Sequence, residues 1–184
     1  MMAAMKNALL SLAALLATAL LLGCGSSDGD SDDPNTFDDE AYPFTFEYPA
    51  DWSESDDVTL DKQLGNSGEN TRAVGLDDTN GIILQTFQLS TEIDDSNVDL
   101  AQKELDGLIA QVDSDATSTV GDTAGLPSVT FDSVAVPDPE GAESKIVAIF
   151  DGDQEYMINC QSTDDHRDDV AEGCDQALET IELR

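Results

Sequence analysis

The stretch that decides the fold class is Tyr42-Pro43-Phe44-Thr45-Phe46-Glu47-Tyr48-Pro49-Ala50-Asp51-Trp52. Its aromatic side chains alternate with Thr45 and Glu47, which is the two-residue period of a strand that buries one face. Pro49 has no backbone N–H to donate, so the strand is predicted to stop there. Trp52, the single tryptophan, is expected to fill one end of the core.

The segments that follow this strand have alternating strand and helix patterns. Strands are predicted at 71–76, 82–89, 117–120, 128–136, 144–150 and 155–161, and Asn80-Gly81 predicts a tight hairpin turn. A helix is predicted from Ser96 to Val112, with Ser96 and Asp99 as a capping box. Its apolar stripe consists of Val98, Ala101, Leu105, Leu108, Ile109 and Val112. A last helix is predicted from Asp168 to Glu182. This order predicts an α+β fold, with helices packed on an antiparallel sheet.

Two cysteines of the three are predicted to form a disulfide in this fold. Cys160 shares a strand face with Tyr156 and Ile158, and Cys174 lies on the apolar stripe of the last helix. The connection is long enough to fold that helix back onto its own strand, which brings both thiols into one layer. Closing this loop is expected to stabilise the fold by about 3 kcal/mol. Redox chemistry, the alternative, requires exposed thiols of lowered pKa, which the acidic surroundings disfavour.

The N-terminus has the pattern of an export signal. Lys6 precedes an apolar run of about 15 residues, from Ala8 to Leu22, which is short of the roughly 20 residues that a membrane-spanning helix needs. The run ends in Leu21-Leu22-Gly23-Cys24, which resembles the bacterial lipobox. That resemblance implies cleavage before Cys24 and lipidation of its thiol; the alternative is an ordinary signal peptide.

The composition divides the chain into three parts. Residues 1–23 are the predicted lipoprotein signal peptide, 24–41 an acidic flexible tether, and 42–184 a single folded domain. The tether is assigned because residues 25–39 are mostly Gly, Ser, Asp and Pro, which bury too little apolar surface to fold.

The charge of the chain excludes one class of partner. Against 7 basic residues stand 40 acidic ones, for a net charge of −33. This field repels phosphates, so no nucleic-acid partner is expected. The acids are interpreted as a solvated coat, with a divalent-cation (calcium) site as the alternative.

No catalytic or metal site is predicted. His166, the only histidine, lies in a polar segment between acids, so an envelope hydrolase that uses it is the weaker hypothesis. One histidine and a cysteine pair cannot supply a tetrahedral zinc site. The acid clusters Asp94-Asp95, Asp164-Asp165 and Asp168-Asp169 flank helix starts, where they complement the helix dipole. No cofactor is expected.

The opening strand and the end of the chain resemble a known family. The aromatic strand that ends in Tyr48-Pro49, with Trp52 close behind, resembles PsbP-like domains. The antiparallel strand pair and final helix are similar to the ending of actinobacterial lipoproteins of the LpqN type, which often carry the strand-to-helix cysteine pair. The resemblance implies an α/β/α sandwich with a central antiparallel sheet, no shared catalytic residues, and action through contacts with partners.

The sequence therefore predicts a non-enzymatic binding or accessory lipoprotein of the cell envelope. Cys24 would anchor it to the extracytoplasmic face of the cell membrane, and an envelope protein or a small ligand would be its partner.

Overall fold

The computed structural model describes residues 33–55, 69–137 and 139–184. The strands within these ranges are β1 (Asn35–Phe37), β2 (Phe44–Tyr48), β3 (Ser53–Ser55), β4 (Glu69–Gly75), β5 (Gly81–Ile93), β6 (Ser118–Thr123), β7 (Leu126–Ala135), β8 (Glu143–Ser162) and β9 (Glu182–Leu183). The helices are α1 (Val98–Ile109) and α2 (Arg167–Thr180), with a 3-10 turn at Asp164–His166 before α2. Among the described residues, neither helix combines the length and apolarity needed to cross a membrane.

Six strands form one antiparallel sheet in the order β3-β4-β5-β8-β7-β6. The first half of β8 pairs with β7 and the second half with β5. Lys145 and Cys160 line the same cavity, although a straight strand would separate them by about 50 Å. β8 therefore folds back on itself, and Gly152, with φ 62°, lies at the bend. Its two arms correspond to the strands predicted at 144–150 and 155–161.

A small sheet in the order β1-β2-β9 packs with α2 against one face of the large sheet. The burial of β2 alternates as its sequence predicts, because Phe44, Phe46 and Tyr48 are buried while Glu47 is exposed. The rings of Phe44 and Tyr156 meet edge to face with centroids 5.7 Å apart. The aromatic stretch therefore forms the centre of the core on this face, which we call the α2 face.

Helix α1 covers part of the opposite face, which we call the α1 face. Its buried side chains pack on the inward residues of β7 and of the first arm of β8, including Phe131, Ile146 and Phe150. The sheet thus has a helix on each side, and the predicted α/β/α sandwich with a central antiparallel sheet is confirmed.

The tether predicted for residues 24–41 is wrong at its C-terminal end. Asn35–Phe37 forms β1 and pairs with β2. The Phe37 ring is buried and stacks on Phe46 with a centroid distance of 4.8 Å. The Asn35 side-chain amide donates to backbone carbonyls of Pro49, Ala50 and Trp52. These partners are distant in sequence, so composition alone could not reveal them. Residues 24–32 of the predicted tether, and the signal peptide at 1–23, lie outside the described residues.

Two local predictions also need correction. The β4–β5 connection is a five-residue loop between the paired Gly75 and Gly81, rather than a tight Asn-Gly turn. Asp77 closes it by accepting from the backbone N–H groups of Thr79 and Asn80. At the start of α1 the predicted capping box is absent, because helix α1 begins at Val98 and its N-cap, Asn97, makes no side-chain cap bond.

Candidate functional site: a partly open cavity beside α1

The structure places the predicted cysteine pair as expected. Cys160 and Cys174 are both buried and form a disulfide, with their Cα atoms 6.0 Å apart. The bond joins β8 to α2 within the core of the α2 face. Its inaccessible position suits a structural bond rather than an exchange reaction. Cys24, the predicted lipidation site, lies outside the described residues.

The predicted surface histidine lies at the start of α2. The Nδ1 atom of His166 is 3.3 Å from Asp169 Oδ2, and its side chain is 38% exposed. It lines neither the cavity beside the disulfide nor the cavity beside α1. The hydrolase hypothesis needed this residue in a pocket, so the structure gives it no support.

The acid clusters contain residues that bind side chains or backbone groups close to them in the sequence. Asp94 accepts hydrogen bonds from the backbone and hydroxyl of Ser96, and these bonds hold the pKa of Asp94 below its usual value. Asp164 pairs with Arg167 at 2.6 Å. No group of three or more His, Cys, Asp or Glu side chains within the described ranges is placed to hold a metal ion.

Four basic side chains among the described residues are paired with acids. Ion pairs join Arg72 to Asp39, Lys145 to Asp175, Arg167 to Glu143 and Arg184 to Asp38, at distances of 2.6 to 2.9 Å. Each of these cations already has an anionic neighbour within the protein. The remaining surface field is therefore that of the unpaired acids, and it favours cationic partners.

One flank of α1 carries apolar side chains that face solvent. Leu100, Glu104 and Leu108 follow each other at four-residue spacing, beside the buried stripe. Leu100 and Leu108 are each 60% exposed. The prediction that Leu108 belongs to the inner stripe is wrong. The side of α1 that meets the sheet is already occupied by the buried residues Val98, Ala101, Leu105 and Ile109.

A cavity of about 280 Å³ opens beside this flank. One wall comes from α1, another from the end of β5, and the floor from β8 on either side of its bend. The apolar lining includes Leu89, Ile93, Leu100, Leu105, Leu108 and Phe150, and the polar lining is Ser90, Thr91, Glu104 and Glu155. This is the concave, mainly apolar kind of surface at which proteins bind small molecules.

Glu155 is the buried polar group of this cavity. The residue is only 7% exposed, and burial raises the pKa of its carboxyl from 4.5 to about 7. Its side chain forms no hydrogen bond or ion pair with any residue that the structure describes. A buried carboxyl without a partner costs free energy, so its presence in a cavity marks a candidate binding group.

Sequence reasoning missed Glu155 although it assigned the strand face correctly. Tyr156, Ile158 and Cys160 do face the α2 core, and Glu155 and Met157 do face the other way. No binding group was predicted on that second face. A sandwich has helices on both faces, so an acid on either face of this strand is close to a covered region.

The fold agrees with solved structures of known proteins. The chain matches no protein-family model and none of the curated proteins. It superposes on the solution structure of the cyanobacterial PsbP protein, CyanoP, from Synechocystis sp. PCC 6803 with a TM-score of 0.56 and 14% identity, over 89% of this chain and 99% of that one. The chain has a PsbP-like fold.

Two further structures are similar to this chain. A crystal structure from Bacteroides thetaiotaomicron VPI-5482 has a TM-score of 0.54 and 14% identity, and the match covers 81% of this chain and 48% of that one. LpqN, described as involved in cell envelope biogenesis of Mycobacterium tuberculosis, has a TM-score of 0.49 and 11% identity, over 85% and 87% of the two chains. The PsbP-like fold predicted from the sequence is confirmed by the first of these three structures, and such identities establish the fold alone.

Proposed function

We propose that this protein is a membrane-anchored lipoprotein on the extracytoplasmic face of the cell envelope, and that it acts as a non-enzymatic binding protein through the cavity beside α1. The observation that carries the binding role is the buried, unpartnered carboxyl of Glu155 in an apolar cavity. The anchor rests on the sequence Leu21-Leu22-Gly23-Cys24.

Exposed apolar side chains at the mouth of the cavity support the binding role. Leu100 and Leu108 stand on the surface of a chain with a net charge of −33. Apolar side chains that border a concave surface mark binding regions more often than isolated ones do. On the α2 face, by contrast, α2 places Val170, Cys174 and Ala177 against the core.

The position of β1 limits how far an anchored domain can extend from the membrane. Eleven residue steps separate Cys24 from Asn35, where the first described strand begins. A fully extended chain of that length reaches at most about 40 Å. The partner is therefore proposed to lie in the layer of the envelope next to the anchoring membrane.

Two experiments test the two halves of this proposal. Labelled palmitate should be incorporated by the wild-type chain and not by Cys24→Ala, and the variant should leave the membrane fraction. An unlabelled wild-type chain would rule out the anchor.

For the binding role, a photocrosslinking amino acid is placed at position 108 in living cells and, as control, at position 120. Val120 is 41% exposed on β6 and is not part of the cavity lining, which makes it a matched apolar surface site. A discrete adduct mass at position 108 alone is expected. Equal labelling at both positions would contradict a specific site beside α1.

A further inference from the structure

We propose that the cavity beside α1 binds a small organic cation, with its ammonium group on the carboxylate of Glu155 and its hydrocarbon chain along the α1 flank. This inference rests on the proposed function, which makes this cavity the binding site, and it adds the chemical class of the ligand.

The need for a cation comes from Glu155 itself. Glu155 is only 7% exposed as a residue, and its carboxyl has no side-chain partner among the described residues. A buried carboxylate is stable when a positive charge or several donors stand beside it. An ammonium group supplies both the charge and up to three donors.

The rest of the lining selects an organic cation rather than a metal ion. Glu104 is the one other titratable side chain in the lining, and it stands on α1 at the mouth, beside Leu100 and Leu108. Calcium takes about six to eight oxygen ligands, and the apolar walls of the cavity do not provide them. Leu89, Ile93, Leu105 and Phe150 instead give a surface on which a hydrocarbon chain is removed from water.

The electrostatics of the surroundings exclude the opposite charge. Both titratable groups of the cavity are acids, and the ion-paired residues Arg72, Lys145, Arg167 and Arg184 all lie outside its lining. A net charge of −33 also raises the local concentration of cations around the domain. The two acids of the lining would repel a fatty carboxylate and attract an alkylammonium ion.

The titration of Glu155 makes the affinity of the site for an ammonium ligand depend on pH. β5 contributes the uncharged side chains Ser90 and Thr91 to the lining, β8 adds Phe150, and α1 contributes Glu104. An ammonium ligand requires the ionised form of Glu155, whose pKa is raised to about 7 by burial. Its affinity should therefore increase between pH 6 and pH 8, and a neutral alcohol of the same length should not share this increase.

The test is calorimetric titration of the full anchored chain in a non-ionic detergent, with detergent alone as the blank. The probes are hexylammonium chloride and the neutral hexanol. Hexylammonium is expected to bind one site per chain. Glu155→Gln should weaken that binding at least about tenfold, since a charged hydrogen-bonded pair is lost. The control Glu179→Gln changes an exposed acid on α2 and should leave the affinity within about twofold.

A second variant covers the case in which Glu155→Gln disturbs the fold. Leu108→Gln alters an exposed side chain of the mouth and should weaken both hexylammonium and hexanol. If both probes bind equally and Glu155→Gln leaves their affinities unchanged, the ligand is not selected for positive charge. That result would overturn the proposed ligand class but not the proposed binding site. If neither probe binds, or if hexylammonium binds only at many weak sites, this inference and the cavity's binding role both fail. A dimer that Leu108→Gln dissociates would make a second copy the occupant and would also overturn it.

Discussion

The two faces of the central sheet are built differently. On the α2 face, aromatic side chains from β1 and β2 fill the core, and the Cys160–Cys174 disulfide ties α2 to the sheet. On the α1 face, α1 has no covalent tie, leaves Leu100 and Leu108 exposed, and borders a cavity with a buried carboxyl. The first arrangement is that of a packed interior, and the second is that of the proposed binding surface.

This difference places the packed core and the proposed binding site on opposite faces of one sheet. The α2 face meets the usual requirements of a close-packed core, in which large buried side chains have few voids around them. The α1 face carries a group, Glu155, that lowers stability where it stands. Residues of that kind are found preferentially where a site is built for chemistry or binding.

The largest expected difference between the faces is in the free energy of unfolding that is lost when a side chain is truncated. Phe44→Ala on the α2 face, where Phe44 is fully buried, should lower the free energy of unfolding by about 3–5 kcal/mol. Leu108→Ala on the α1 flank should change it by less than about 0.5 kcal/mol. Urea denaturation measures both. A comparable loss in the two variants would mean that the α1 flank is also part of the packed interior.

Removal of the disulfide should have the next largest effect on stability. It closes a sequence separation of 14 residues, so the double variant Cys160→Ser/Cys174→Ser should lose about 3 kcal/mol. The reduced wild type serves as the control for the serine hydroxyls and should show a similar loss. If unfolding in urea is the same with and without reductant, the tie between α2 and the sheet contributes nothing to stability.

Glu155→Gln should stabilise the protein in a pH-dependent way. The folded-state pKa of about 7 lies above the ordinary 4.5, so the folded protein binds more protons than the unfolded one between these values. The wild type therefore loses stability as pH rises through that range. The variant should match it at pH 4.5 and exceed it by about 2–3 kcal/mol at pH 8. Thermal unfolding at both pH values measures this, and a pH-independent difference would contradict it.

Two helix glycines give the smallest and most local contrast. A Cβ at Gly173 of α2 would stand 2.5 Å from Trp52 Cη2 and 3.1 Å from Pro49 Cγ, whereas a Cβ at Gly107 of α1 would meet nothing within 4 Å. Gly173→Ala should therefore destabilise by about 1–3 kcal/mol. Gly107→Ala should stabilise by up to about 1 kcal/mol through helix propensity. Melting temperatures that move in the same direction for both would remove this distinction between the helices.

Local patterns in the sequence predicted most of the fold, because they reflect side-chain periods along one element. The alternation in β2, the two arms of β8 and the buried stripe around Leu105 all follow from such periods. The disulfide could be predicted because Cys160 and Cys174 lie on the inner faces of adjacent elements. The limits of α1 were less accurate, since Ser96 binds Asp94 instead of capping the helix.

The features that were missed depend on contacts between distant segments. β1 has a polar sequence, and its burial comes from pairing with β2 and from the stacking of Phe37 on Phe46. Glu155 was placed on the correct side of its strand, but periodicity does not reveal what covers that side. The candidate site was therefore not predictable residue by residue.

The arrangement of the small sheet has a practical consequence for handling the protein. β1 and β9 flank β2 on its two edges, the backbone N–H of Arg184 donates to Pro43 at 2.8 Å, and the Arg184 guanidinium pairs with Asp38. The first and last strands thus lie about 10 Å apart, two strand spacings. Because β1 and β9 both run antiparallel to β2, Arg184 lies beside the end of β1 that follows Phe37, and a reporter fused after Arg184 is expected to leave the Asn35 end of β1 unobstructed.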